Sequence, residues 1–167
     1  MRKTVIAAAA SVLFAAAAQA QTAAPTTPAP APPSQYGQPG VTLEQAMKAV
    51  EAAAAEAKKN GWLMAIAVVS NGGHLVSFSK MDQTQFASVQ ISIDKAKAAS
   101  MFRRPTKTFE DRANSGGPSV LSLHGVVASE GGLPLMRDGK VIGGIGCSGG
   151  TGQQDGVACK AGADTIK

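Results

Sequence analysis

The chain has 167 residues, a formal net charge of +5 at pH 7 and an aromatic content of only 4%. So few aromatic side chains cannot build a stacking surface for single-stranded nucleic acid. Two of the 16 basic residues, Arg2 and Lys3, lie in a segment expected to be removed, which leaves 14 against 11 acidic residues. The composition therefore argues against a nucleic-acid partner and is typical of an ordinary globular domain.

The N-terminus has the features of an export signal. Arg2 and Lys3 precede an uncharged, mostly apolar run over residues 4–18, and a small-x-small pattern ends at Ala20. We therefore predict a cleavable signal peptide over residues 1–20 and a periplasmic location.

A proline-rich segment separates this signal from the folded part of the chain. Residues 21–40 contain six of the nine prolines, and such a composition buries too little apolar surface to offset its ordering entropy. We predict a disordered linker over residues 21–40 and one folded domain over residues 41–167.

The domain is predicted to begin with a helix and two strands. Thr42 is the expected N-cap of the helix, with Gln45 completing a capping box, and Asn60-Gly61 is a typical helix end. The apolar run over residues 62–69 predicts a buried strand, and residues 74–80 predict its antiparallel partner. In that second strand, Val76 and Phe78 are expected on one face, with His74 at its edge.

A long helix is predicted over residues 84–102, ended by Pro105. Apolar residues at helical spacing indicate that its inward face carries Phe86, Val89, Ile93 and Ala96. A shorter helix is expected from Thr106, followed by a loop, a helical turn before His124 and a short strand over residues 126–128.

The last third of the domain is predicted to be a hairpin and a closing helix. Asp138-Gly139 between two apolar runs is a strong hairpin signal, and residues 153–166 read as a helix. This order of elements predicts an α+β fold with an antiparallel sheet and helices packed on it.

Glycine is concentrated in the last predicted strand, at Gly143, Gly144 and Gly146. Glycine weakens a strand interior unless a ligand or another backbone approaches closely there. The segment beginning at Gly144 also satisfies G-x-G-x-x-G, but a dinucleotide-binding fold needs a second strand about 20 residues later. The chain has no room for it, so either a binding surface or a tight packing seam is predicted instead.

Cys147 and Cys159 are the two cysteines of the chain. An exported location would permit a disulfide between them, which would link the glycine-rich strand to the closing helix. Sequence alone leaves the bridged and unbridged states open, because the distance between the two Cα atoms decides the outcome.

Several segments, in their order along residues 41–166, resemble the GlcG/HbpS family of heme-binding proteins, also labelled haem-degrading. They are NGGHLVSFSKMD, KAKAASMFRRPT and GGLPLMRDGKVIGGIGCSGGTGQQD. The same domain forms the C-terminal part of PduO-type proteins. The resemblance implies an α+β two-to-three-layer sandwich with about five antiparallel strands, a homo-oligomer, and binding of heme or a related tetrapyrrole. Some family members place histidine ligands near the first helix, where this chain has none.

Two histidines are available as axial ligands of a heme iron, His74 and His124. His74 is the predicted metal ligand, with Phe78 as a neighbour in the site, although a half-exposed turn histidine is an equal alternative. His124 is expected to have a structural role.

Three basic residues, Arg103, Arg104 and Lys107, are predicted to pair with the heme propionates, because arginine forks match carboxylate geometry. A solvated basic corner is the alternative interpretation.

Three functions are consistent with these features. The first is an exported heme-binding protein that captures, buffers or senses heme. The second is a small-molecule enzyme that degrades heme or acts on an organic acid, although no catalytic set is visible from spacing. The third is a non-catalytic oligomeric scaffold.

Overall fold

The computed structural model describes residues 40–166, and the predicted signal peptide (1–20) and all but the last residue of the predicted linker (21–40) lie outside that range. The described elements are α1 (Leu43–Lys59), β1 (Ala65–Ser70), β2 (Leu75–Lys80), α2 (Ala87–Phe102), α3 (Lys107–Asn114), a 3-10 turn (Pro118–Ser122), β3 (Gly132–Arg137), β4 (Lys140–Ser148) and α4 (Gly152–Ala163). No helix within residues 40–166 is long and apolar enough to cross a membrane.

The strands form one antiparallel sheet in the order β2-β1-β4-β3. Helices α1 and α4 pack on one face, around the larger hydrophobic core, and α2 covers the other face. The predicted α+β class is confirmed. Four strands are present in the described part of the chain, against about five predicted.

The missing strand is the one expected at residues 126–128. Val126 N donates to Leu123 O at 3.2 Å, which closes a turn, and the segment makes no ladder with the sheet. Residues 126–128 therefore form a loop instead of a strand.

Local signals located α1 and the hairpin correctly. Thr42 Oγ1 accepts a hydrogen bond from Gln45 N at 3.2 Å, and Gln45 Oε1 accepts one from Thr42 N at 3.1 Å. At the β3–β4 turn, Asp138 and Gly139 both have positive φ angles, 50° and 70°. Two left-handed residues in succession match the right-handed twist of a hairpin, as an Asp-Gly pair predicts.

The prediction that Val76 and Phe78 share a face is wrong. Val68 pairs with Ser77 and Val69 with Leu75, so Val76 is an extra residue in the ladder, a β-bulge. Val76 packs against the core beneath α1 and α4, whereas Phe78 packs beneath α2. A single inserted residue reverses the side-chain alternation, which a strict period of two cannot anticipate.

The predicted inward face of α2 is confirmed only in part. Ala96 is buried and Ile93 packs against the same small core, as predicted. Phe86, however, precedes the helix and is 90% exposed. The other buried residues on the sheet side include the small side chains of Ser88, Ser92 and Ser100.

The glycines of β4 explain this choice of face. A Cβ added at Gly144 would collide with the Ala96 carbonyl oxygen, and one added at Gly146 would collide with that of Ser92. The backbone of α2 therefore lies directly on the strand, and larger side chains on either surface would separate them. Of the two alternatives left open by the sequence, the packing seam is the one realised on this face.

Candidate functional site

A groove of about 530 Å³ runs beside the C-terminal half of α2. One wall comes from the helix and the other from the loop that follows the 3-10 turn. The side chains that line it are Asp94, Lys97, Met101, Phe102, His124, Val126 and Val127.

Helical geometry explains the composition of the first wall. Asp94, Lys97 and Met101 follow one another at spacings of three and four, so they share one face of α2. That face lies away from the sheet because the small residues occupy the opposite one. Phe102 is held by an edge-to-face contact with Phe109, whose ring centroid lies 5.1 Å away.

The groove combines an apolar surface with a few polar groups. Phe102, Val126 and Val127 supply the apolar part, while His124 and Met101 supply an imidazole and a thioether, the neutral donors that bind heme iron. Lys97 and Asp94 add one positive and one negative charge to the lining. A volume of this size is within the usual range for small-molecule and cofactor sites, about 300–1,000 Å³.

His74 does not lie in this groove but stands beside it. It follows the turn between β1 and β2, where its carbonyl accepts a hydrogen bond from Ser70 N at 2.8 Å. A Cβ on the preceding Gly73 would lie 3.3 Å from Met101 Sδ and 3.7 Å from Lys97 Cγ. The turn that carries His74 therefore rests on the same α2 side chains that line the groove.

Phe78, the predicted neighbour of His74, is half-buried in the small core beneath α2, with Ala67, Val69 and Ile93. The bulge at Val76 gives it this position. Phe78 packs in this small core, and its contact with a bound heme stays a prediction.

The three basic residues predicted to pair with propionates have different surroundings. Arg103 lines a second groove, next to the β3–β4 turn. Arg104 Nε donates to Phe102 O at 3.1 Å, and its guanidinium lies over the Phe109 ring. Lys107 Nζ lies 2.7 Å from Asp111 Oδ1, and this hydrogen bond raises the pKa of Lys107 above its usual value of 10.5. Their propionate contacts stay a prediction.

A buried ion pair that the sequence analysis missed lies where β4 ends. Lys95 Nζ is 2.8 Å from Asp155 Oδ2 and donates to the backbone oxygen of Glu130 at 2.7 Å. Asp155 Oδ1 accepts a hydrogen bond from Gly150 N at 3.0 Å. Only 2% of Lys95 is exposed. Its spacing from Ser88 and Ser92, seven and three residues, was the signal that could have placed it on the sheet face.

Two backbone N–H groups of the loop before α4 are already bonded within the chain. Gly150 N donates to Asp155, and Thr151 N donates to Gln154 Oε1 at 2.9 Å. Thr151 Oγ1 accepts in return from Gln154 N, which completes a second capping box. Within residues 40–166, no group of three or more His, Cys, Asp or Glu side chains could hold a metal ion.

Comparison with known proteins identifies the family. The model of the family described as "Haem degrading protein HbpS-like" matches residues 41–164. The chain belongs to this family. Protein GlcG of Escherichia coli K12 is 41% identical over 110 residues, 65% of this chain and 82% of that protein.

Solved structures agree with this assignment to the HbpS-like family. A double mutant of Streptomyces reticuli HbpS superposes with a TM-score of 0.73 at 29% identity, covering 84% of this chain and 99% of that one. A PduOC:heme complex superposes with a TM-score of 0.70 at 24% identity, covering 77% and 96%, and shares the fold.

In this HbpS-like domain, Cys147 of β4 and Cys159 of α4 are paired as a disulfide, with their Cα atoms 5.6 Å apart. This distance is typical of disulfides. Both residues belong to the core beneath α1 and α4. The pair links the glycine-rich strand to the closing helix, as a bridge was expected to do.

Proposed function

We propose that this HbpS-like protein binds heme in the groove between α2 and residues 124–127. The observation that carries the proposal is the presence of His124 and Met101 in one groove, together with the apolar side chains of Phe102, Val126 and Val127. A bound heme would supply an iron centre there. Phe102, Val126 and Val127 would contact the porphyrin, and His124 and Met101 would offer the axial donors.

His124 is the first candidate for the axial ligand, because it lines the groove itself. His74 is the second, since its turn rests against Met101 and Lys97 on the same wall. Lys97 is the candidate partner of a propionate, because it lines the groove and its ammonium can bind a carboxylate.

Hemin titration of the chain from residue 21, followed by absorbance, tests this function. We expect a Soret band distinct from that of free hemin, and about tenfold weaker binding, about 1.4 kcal/mol, in His124→Ala.

His74→Ala and Met101→Leu test the other two candidate axial donors in the same titration. Met47→Leu, an exposed methionine on α1, is the matched control. A spectrum identical to free hemin would refute heme binding. If binding weakened only in His74→Ala, His74 and not His124 would be the axial ligand.

Heme degradation is the second candidate, because the description of the matching family names it. The same complex tests it when a reductant and oxygen are added. Time-dependent loss of the Soret band that depends on His124 would support turnover, whereas a spectrum stable for hours would restrict the protein to binding.

Export and self-association complete the proposal. The basic start, the apolar run and the small-x-small pattern before residue 21 support secretion to the periplasm. Large exposed apolar side chains, such as Phe86 and Leu121, support a homo-oligomer in which part of this surface is covered. In this setting the protein captures, buffers or senses heme outside the cytoplasm.

A further inference from the structure

A second groove, of about 720 Å³, lies between the end of α2, the turn at Asn71 and the β3–β4 hairpin. We propose that it binds a small dianion, a dicarboxylate or a phosphate. It shares no lining residue with the groove that contains His124. The proposal therefore does not depend on heme binding.

The charge of this groove is the first argument. Three cations line it, Arg103, Arg137 and Lys140, together with one carboxylate, Asp138. Among the residues that the structure describes, none of the three cations has a carboxylate oxygen within 4.0 Å. The lining therefore keeps an excess of positive charge without a fixed counter-ion.

The hairpin register strengthens this argument. Arg137 and Lys140 are directly paired across the two-residue turn. Like charges opposite each other on neighbouring strands are destabilising. A bound anion between Arg137 and Lys140 would offset the repulsion between their side chains.

The backbone at Arg103 is the second, independent argument. Arg103 is the C-cap of α2 and adopts a left-handed conformation, with φ 56° and ψ 39°. Glycine is strongly preferred in this conformation at a helix end, because a Cβ is unfavourable there. An arginine at this unfavourable backbone position is consistent with a role for its guanidinium in the groove.

The available donors define the ligand class. The guanidinium groups of Arg103 and Arg137 present paired N–H donors that match the two oxygens of a carboxylate or phosphate. Lys140 adds a point charge, and the Asn71 side chain contributes an amide. Several donors around one space favour a ligand with two negative charges over a simple halide.

Isothermal titration of the heme-free chain from residue 21, at low ionic strength, tests the proposal. The probes are inorganic phosphate and succinate, with sodium chloride at matched ionic strength as the reference. We expect saturable binding of at least one dianion. The probe that binds with the higher affinity shows whether the site prefers phosphate or carboxylate ligands.

Arg103→Gly is the decisive variant. It removes the guanidinium and places the preferred residue at the left-handed position, so the thermal midpoint without ligand should stay unchanged or rise while dianion binding weakens about tenfold or more. Arg104→Ala is the control, because that guanidinium lies over Phe109 and does not line the groove. Equal heats from chloride, no binding of either dianion, or equal losses in both variants would overturn the proposal.

Discussion

At the scale of single residues, the glycines of β4 are unfavourable for strand formation but allow close packing of α2. Gly144 and Gly146 weaken the intrinsic preference for a strand, yet a Cβ at either position would strike the backbone of α2. The facing residues of α2 are small for the same reason. Phe86, which helical spacing alone assigned to this interface, is excluded from it and exposed.

Gly146→Ala tests this close approach. The added methyl would meet the Ser92 carbonyl oxygen and lie 2.5 Å from Ala96 N, so the helix must move away from the strand. We expect the free energy of unfolding to fall by about 2 kcal/mol or more, at the upper part of the range for overpacked cores. Urea denaturation measures it.

Gly72→Ala is the matched control for that experiment. Gly72 is exposed, and a Cβ there would lie 3.3 Å from the end of the His74 side chain, which can turn away. We expect a change within about 0.5 kcal/mol, as for other surface substitutions. Equal effects of the two substitutions would contradict the packing explanation.

At the scale of elements, α2 is attached to the sheet by hydrogen bonds as well as by packing. Ser148 Oγ donates to Ser88 Oγ at 3.2 Å near one end of the helix, and Ser100 Oγ donates to Ser70 O at 3.0 Å near the other. Helix α4 is attached to the opposite face differently, through Cys147 and Cys159. The two faces of the sheet therefore hold their helices by different means.

Reducing the disulfide should show how much of the free energy of unfolding comes from the bridge and how much from the packed core. The two cysteines are 12 residues apart, and cross-linking a loop of about this length stabilises a protein by about 3 kcal/mol in the chain-entropy model. We therefore expect the free energy of unfolding, measured by urea denaturation, to be lower by this amount in the presence of reductant. The double variant Cys147→Ala/Cys159→Ala should show no dependence on reductant. Two titratable thiols in the native chain without reductant would contradict the bridge.

At the scale of the whole molecule, the Lys95–Asp155 pair joins the two helical layers. Lys95 belongs to α2 on one face of the sheet and Asp155 to α4 on the other. They meet beside the turn before β3, where Lys95 also binds the Glu130 carbonyl. Since a buried charge without a partner is very unfavourable, this contact constrains how the layers assemble.

Asp155→Ala should therefore destabilise the protein strongly. It leaves the Lys95 ammonium buried with one carbonyl as its partner, and loss of one member of a buried pair costs about 3–5 kcal/mol. Asp164→Ala is the matched control, because it breaks a pair with Lys160 whose side chains are 63% and 68% exposed. We expect less than about 1 kcal/mol there. Similar urea midpoints for the two variants would refute a structural role for the buried pair.

Prediction from sequence succeeded where neighbouring residues decide the structure. The capping box of Thr42 and Gln45, the Asp138-Gly139 turn and the order of elements depend on contacts within a few positions. It failed at Val76, Phe86 and Lys95, where the outcome depends on strands and helices distant in sequence. For the candidate site, the sequence provided two histidines and a basic cluster, but not the groove that selects among them.

Local chemistry alone therefore determined the α+β class, the ends of α1 and the hairpin, because short-range hydrogen bonds and turn conformations are encoded over three to five residues. Only the tertiary structure decided which face of α2 is buried, that Lys95 and Asp155 meet, and that His124 shares a groove with Met101 while Arg103 lines another. The buried face of α2 follows from its close approach to the glycines of β4, a condition set by packing between segments about 50 residues apart. The other arrangements likewise join segments that are distant in sequence.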